Sequence, residues 1–362
     1  MSLRFNNISH AYGDAPVLSD LTFAVNAGEI TCLLGPSGGG KSTLLRLAAG
    51  LEPVQSGSIE IGGEVVASPG LTVPPERRPV GLMFQEHALF PHMTVDENVG
   101  FGLAKWPKAK RRARVEALLQ MVGLADLAKR FPHQLSGGQQ QRIALVRSLA
   151  PEPTVLLMDE PYASIDITLR RALREAARLT LKRDGTTTIM VTHDPSEAME
   201  MADVIAVLDG GCILQVGTPQ TLYESPVSPS VAALFGDAQR LTARRSSSGF
   251  DTDFGPIVDD PNAPSVPEGQ GPADADCEVV VRPAGLRLSH DPDASATITD
   301  IRYVGDGWLA FLSPGLASAN GATEASAPLR VTIDAPDAWK IADRVALKRA
   351  DRGFYVFPRA SA

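Results

Sequence analysis

The residues Gly35-Pro36-Ser37-Gly38-Gly39-Gly40-Lys41-Ser42-Thr43 fit the pattern G-x-x-x-x-G-K-[ST] at every fixed position. Glycines let backbone N–H groups turn inward around an anion. The lysine offers a point charge for the β- and γ-phosphates of a nucleotide, and the hydroxyl beside it suits a magnesium ion. A second glycine-rich turn, Leu135-Ser136-Gly137-Gly138-Gln139, opens a helix much farther along the chain. Its unpaired N–H groups and the positive end of the helix dipole also seek an anion. One phosphate cradle needs only one such loop. Two imply a nucleotide clamped from two sides.

Two acids, Asp159 and Glu160, end the apolar run Val155–Met158. An acid at that place can anchor the magnesium, and two in a row are hard to explain by packing. Glu160 is the candidate to polarise an attacking water. His193 ends a second run, Thr187–Thr192, where it either hydrogen-bonds a γ-phosphate and holds the water or serves the structure alone. Gln85 follows Val80–Phe84; its neutral amide could reach the metal or the water, or cap a turn. Tyr12 is expected in a turn ahead of the first strands, beside Val17, as a platform for a purine ring or as an amphipathic surface residue.

These side chains need a scaffold that delivers them to one place. Ile30–Leu34, Val155–Met158 and Thr187–Thr192 are continuous apolar or β-branched runs that stop abruptly at glycine or polar residues. Such runs read as strands of a parallel sheet covered by helices on both faces, and open sheets of this kind bind ligands at the carboxyl ends of their strands. Helices are expected at Lys41–Ala49, Arg111–Met121, Gln139–Ala150 and Leu169–Arg183. The basic run around Trp106–Arg114 reads as a solvated helix face, and the apparent loop Glu86–Met93 either gives Phe90 and Met93 to the core or forms an exposed apolar docking groove.

At 362 residues the chain is expected to form two domains. The composition changes near Arg240. We read residues 1–240 as an α/β nucleotide-binding domain, 241–278 as a linker or long loop, and 279–362 as a small all-β domain resembling an OB barrel. The last is expected from short runs at Val279–Val281, Thr297–Tyr303, Trp308–Leu312, Leu329–Ile333, Val345–Lys348 and Phe354–Phe357. A net charge of −8 argues against nucleic acid as the main partner. Cys32, Cys212 and Cys277 are far apart, without metal-ligand spacing, and suit a reducing compartment as small buried residues. No signal peptide and no run of the ~18–20 apolar residues needed to span a bilayer are evident, so any membrane role is expected through a partner.

Together these residues resemble the nucleotide-binding subunit of ABC transporters, from Leu3 to about Phe235. The resemblance implies a P-loop NTPase fold, the ABC cassette, with ATP and Mg²⁺ as its ligands. It implies that Tyr12 stacks on adenine and that Gly35–Thr43 is the Walker A loop. Gln85 becomes the Q-loop glutamine, a metal ligand and catalytic residue. Ser42 and Asp159 bind the metal, Glu160 is the catalytic base, and His193 is the switch histidine. Asp166 belongs to the D-loop, whose Ser164-Ile165-Asp166 departs mildly from the commoner Ser-Ala-Leu-Asp. Leu135–Gln139 is the signature, contacting ATP held by the other subunit of a head-to-tail homodimer.

The C-terminal part resembles the TOBE domain of bacterial import ATPases, through Arg282-Pro283, Thr297–Gly305 and Gly353–Phe357. That implies a peripheral protein on the cytoplasmic face of the inner membrane. Its partners would be two permease subunits or one fused permease, and indirectly a substrate-binding protein. Pro74–Arg78 and Leu89–Val95 are most similar to importers of ferric iron, polyamines and related anions, with ferric iron the leaning. The alternatives are polyamine, sulfate or another small solute. From other classes they are an exporter or soluble ABC ATPase, or a module sensing an oxyanion.

Overall fold

The computed structural model describes residues 2–83, 89–163, 165–259, 276–314 and 327–359. Gln85 and Ser164, both given roles above, lie outside the described residues. The chain divides into two compact units, Met1–Gln220 and Thr221–Ala362.

Unit one holds two sheets. The first is antiparallel and contains β1 (Leu3–Tyr12), β2 (Ala15–Val25), β4 (Ser56–Ile61), β5 (Glu64–Ser68) and β6 (Leu71–Thr72), in the order β2-β1-β4-β5-β6. The second contains β3 (Ile30–Leu34), β7 (Val80–Met83), β8 (Val155–Asp159), β9 (Thr187–Thr192), β10 (Val204–Asp209) and β11 (Cys212–Gly217). Its order is β11-β10-β3-β9-β8-β7, with every pair parallel except β10–β11. β3 and β9 are buried along their whole length, as strands covered on both faces must be.

Six helices pass between these strands: α1 (Lys41–Ala49), α2 (Val95–Gly100), α3 (Lys108–Met121), α4 (Gly137–Leu149), α5 (Ile167–Asp184) and α6 (Pro195–Met201). α1 inserts Leu44, Leu45, Leu47 and Ala48 into one core shared with Phe5, Ile8 and Leu18 of the first sheet and Leu33, Leu157 and Ile189 of the second. It stops where Gly50 takes a left-handed conformation at φ 81° and donates to the carbonyls of Arg46 and Leu47. α3 begins three residues before the expected Arg111, directly after Pro107, because Lys, Ala and Arg are good helix formers and proline suits a helix start.

Unit two is built on ten strands, β12 (Gln239–Ser246), β13 (Gly249–Thr252), β14 (Gly255–Val258), β15 (Asp276–Val281), β16 (Leu286–His290), β17 (Ala296–Tyr303), β18 (Trp308–Ser313), β19 (Leu329–Ile333), β20 (Arg344–Arg349) and β21 (Phe354–Pro358). All six short runs read from the sequence are strands here. The path is β19-β18-β17-β20-β14-β13-β12-β15-β21, with β16 also paired to β20. The linker expected to begin at residue 241 differs: residues 239–258 are β12, β13 and β14, integral to this sheet. Their residues are mostly polar, but Ala243, Phe250 and Ile257 fall on the inward face and join the core of the unit. Two or three apolar side chains were too few to be read as strands by alternation alone. Cys32 and Cys277 are buried as expected, whereas Cys212 is exposed.

Candidate active site

The register of the parallel sheet gathers the predicted side chains at one edge. Leu34, just before the glycine loop, lies level with Thr192, just before His193. Asp159 lies level with Val191 on the other side of β9. The loop, the acids and the histidine therefore leave neighbouring strands at the same height.

The loop is shaped by glycine. Gly40 caps α1 at φ 93°, and a Cβ there would stand 2.6 Å from Leu18 Cδ2 and 2.8 Å from the Val17 carbonyl oxygen. A Cβ on Gly35 would overlap the carbonyl oxygen of Leu208. Lys41 is 7% exposed, and its ammonium donates to the carbonyls of Gly35 at 2.9 Å and Pro36 at 2.7 Å. Burial lowers its pKa, against the pull of Glu160 and Asp159. The cation is thus buried in the loop and held by the loop's own carbonyls. Tyr12 stands 44% exposed at the end of β1, its ring edge-on to His10, with its neighbours Val17 and Leu18 packed on Gly40.

Ser42 Oγ donates to Asp159 Oδ1 at 3.2 Å. Burial raises the Asp159 pKa, opposed by that hydroxyl. A half-buried carboxylate beside a hydroxyl, both hard oxygen donors, fits Mg²⁺, which takes one or two protein ligands and completes its shell with water and phosphate oxygens.

Glu160 is the most constrained residue of the edge. Its φ of 47° is left-handed, a conformation that costs a side-chain-bearing residue about 1–3 kcal/mol. It is kept there by its N–H donating to the Val191 carbonyl at 3.0 Å and by Gln141 Nε2 donating to its own carbonyl at 3.0 Å. Its carboxylate oxygen Oε1 lies 2.9 Å from His193 Nδ1. The histidine side chain is 61% exposed, so the pair opens towards a ligand.

Behind this pair is a cleft of about 350 Å³ lined by Glu160, Tyr162, Arg170, Thr192, His193 and Glu197 among others. Glu197 is 5% exposed and burial raises its pKa; Thr192 Oγ1 lies 2.5 Å from its Oε2. The same Thr192 hydroxyl accepts from the Asp194 N–H at 3.0 Å, so the backbone on both sides of His193 is held. Asp194 also caps α6 and pairs with Arg174 at 3.3 Å. Among the described residues Tyr162 Oη and Glu197 Oε1 are buried without a hydrogen-bond partner.

The signature turn stands apart. Ser136 caps α4: its Oγ accepts from Gln139 N–H at 3.3 Å, and Gln139 Oε1 accepts from Ser136 N–H at 2.9 Å. Among the described residues no hydrogen bond joins Leu135–Gln139 to Gly35–Thr43 of the same chain, and Gly137 is exposed. Asp166 caps α5 by accepting from Thr168 N–H at 2.9 Å. Sequence reasoning missed Gln141, Tyr162, Arg174, Thr192 and Glu197. Only Glu197, one turn beyond His193 behind the Asp194-Pro195 helix start, left a local trace.

Comparison with known proteins bears on the family. The ABC transporter family model matches residues 18–163. An Fe(3+) ions import ATP-binding protein of Rhodococcus jostii is 40% identical, covering 92% of this chain and 91% of its own length. A sulfate/thiosulfate import ATP-binding protein of Gloeobacter violaceus is also 40% identical, covering 98% of this chain and 94% of its own. Among solved structures, a dimeric ATP-binding cassette in a post-hydrolysis state with ADP and Pi superposes with a TM-score of 0.54. It is 28% identical and covers 60% of this chain and 98% of that one.

Proposed function

This chain belongs to the ABC transporter family of import ATP-binding proteins, and we propose that it hydrolyses ATP to energise solute uptake through a separate permease. The single observation that carries the chemistry is the convergence of Lys41, Ser42–Asp159 and the Glu160–His193 pair on adjacent strand ends.

In this reading the glycine loop and Lys41 bind the β- and γ-phosphates, Tyr12 stacks on the adenine, and Ser42 and Asp159 hold Mg²⁺. When bound by Ser42 and Asp159, Mg²⁺ would supply charge neutralisation for the phosphate oxygens. Glu160 Oε accepts the proton of the attacking water, and His193 keeps that carboxylate oriented and donates towards the γ-phosphate. Gln85 is assigned the placement of water and metal by resemblance. Asp166, capping α5, orders the D-loop. Because, among the described residues, no hydrogen bond joins the signature turn to its own loop, we assign it to ATP held by a second copy in a head-to-tail dimer. Binding closes that dimer and hydrolysis reopens it.

Phe90 and the exposed Phe101, with rings 4.5 Å apart, form the apolar face we assign to the permease. No described helix is long and apolar enough to cross a membrane, which fits a subunit held at the cytoplasmic face of the membrane by that contact. The C-terminal unit is assigned to the TOBE class. Ferric iron is the leading solute, from the Rhodococcus relatives. Sulfate or thiosulfate is the second reading, from relatives 41% and 40% identical. Uptake of labelled ferric iron and sulfate in cells carrying either wild type or Glu160→Gln tests both. Loss of iron uptake alone supports the first, and loss of sulfate uptake alone moves the solute. No loss of either counts against import of both.

A further inference from the structure

We propose that Gln141 is a positioning residue that ties the signature turn of each subunit to that subunit's own Glu160, and so couples the two ATP sites of the dimer. The inference rests on the head-to-tail reading above and deepens it.

Among the described residues of the strand edge, Glu160 combines a reactive carboxylate with a left-handed backbone, φ 47°. A residue with a side chain has a second, relaxed backbone well at negative φ, so a second conformation is open to this turn. What selects between them is the set of restraints on its peptide groups. The Val191 carbonyl takes its N–H from the neighbouring strand, and Ala163 N–H reaches its carbonyl at 3.4 Å from within the same turn. Both belong to the edge itself. A restraint from outside it is Gln141, whose Nε2 donates to the Glu160 carbonyl at 3.0 Å across 19 residues of chain.

Gln141 is 1% exposed and lies on α4, four residues after Gly137. With a rise of about 1.5 Å per residue, its Cα is only ~6 Å along the helix axis from the first N–H groups of that helix. Ser136 and Gln139 lock that start in a reciprocal cap, so the first turns of α4 move as one body. An ATP that engages the exposed turn from the partner copy pulls on the helix that holds this subunit's Glu160 carbonyl. Each nucleotide thus biases the glutamate that acts on the other one. The coupling runs through a named hydrogen bond to a left-handed turn rather than through spatial proximity alone.

The test uses the full-length chain and Gln141→Met, which keeps the volume and removes the amide. ATP hydrolysis is followed against Mg-ATP concentration, alongside ATP binding and thermal melting. The expected result is a kcat lower by about tenfold or more with a half-saturating ATP concentration within about twofold of wild type. The Hill coefficient should fall from above one towards about one. A non-cooperative wild type, or a variant with wild-type kcat and Hill coefficient, overturns the proposal. So does a parallel fall of kcat, ATP binding and melting temperature, which is what a purely structural glutamine predicts. Should the methionine variant not fold, Gln141→Asn, too short to reach the carbonyl, is read by the same criteria. Gel filtration of Glu160→Gln with Mg-ATP separates the two levels. No dimer removes the head-to-tail reading, whereas a dimer beside a wild-type-like Gln141 variant removes only the role of Gln141.

Discussion

Two buried polar clusters, one in each unit, are held in opposite ways. In unit two Arg282 is 3% exposed and every nitrogen is answered: Nε by the Phe235 carbonyl at 3.0 Å, Nη2 by the Tyr223 carbonyl at 3.0 Å, and Nη1 by the Tyr355 hydroxyl. Its guanidinium also lies 3.5 Å over the Tyr223 ring. In unit one the strand edge keeps a left-handed Glu160, a desolvated Lys41, and buried Tyr162 and Glu197 oxygens without described partners. A satisfied cluster is a finished structural joint. An edge that retains strain and open polar valence is built for a ligand, since folding stability alone would remove both.

The comparison breaks if the edge can lose its chemistry without consequence. Glu160→Gln should lower ATP turnover by about 10²–10⁴-fold, the range for a lost general base, while ATP still binds and drives a stable dimer. Turnover assays with gel filtration check both halves, and a variant that hydrolyses normally ends the assignment. Lys41→Ala should weaken ATP binding itself by about tenfold or more, since removing a desolvated charge from the phosphates costs at least ~1.4 kcal/mol; equilibrium binding of labelled ATP reads this. Arg282→Ala is the mirror experiment. It should cost unit two about 3 kcal/mol, the scale of lost hydrogen bonds to a buried charge, and leave hydrolysis by unit one nearly intact. Thermal melting followed beside ATPase activity would contradict the contrast if activity fell first.

A subtler variant sharpens the account of the cleft. Burial raises the Glu197 pKa above that of the unfolded chain, so the folded state binds the proton more tightly. The stability this contributes is full below the unfolded carboxylate range and is lost as pH rises through the raised value. Glu197→Gln, locked neutral, should therefore melt at a higher temperature relative to wild type as pH increases, and the gap should close at acid pH. The smallest effect belongs to Phe101→Ala, an exposed ring 51% accessible. It should change stability by less than about 0.5 kcal/mol and leave hydrolysis unmoved while reducing co-purification with the permease. A drop in basal turnover would show that this face is not separate from the site.

Much of this was legible without coordinates. Ile30–Leu34 and Thr187–Thr192 are strands with the expected bounds, and Lys41–Ala49 is a helix with the expected bounds. Each has strong local signals: continuous β-branched or apolar runs, and a helix between Gly40 and Gly50. The strands at residues 239–258 were not legible, because their inward residues are few and the rest are polar. Their pairing depends on β15 and β20, far away in sequence. Gln141 was illegible for a similar reason. A glutamine on a polar helix start looks solvated until the fold places the Glu160 carbonyl over it.

By itself the sequence determined which groups could do chemistry and on which kinds of element they ride. Glycine spacing, lysine charge and abrupt strand ends are properties of short segments. Tertiary structure alone decided the height at which those strand ends align, the left-handed turn at Glu160 and the closure of the Arg282 joint. Each of these depends on partners that only packing brings together: Val191 and Gln141 around Glu160, and Tyr223 and Tyr355 around Arg282. Local preference for a left-handed glutamate is unfavourable, so only the surrounding contacts could impose it.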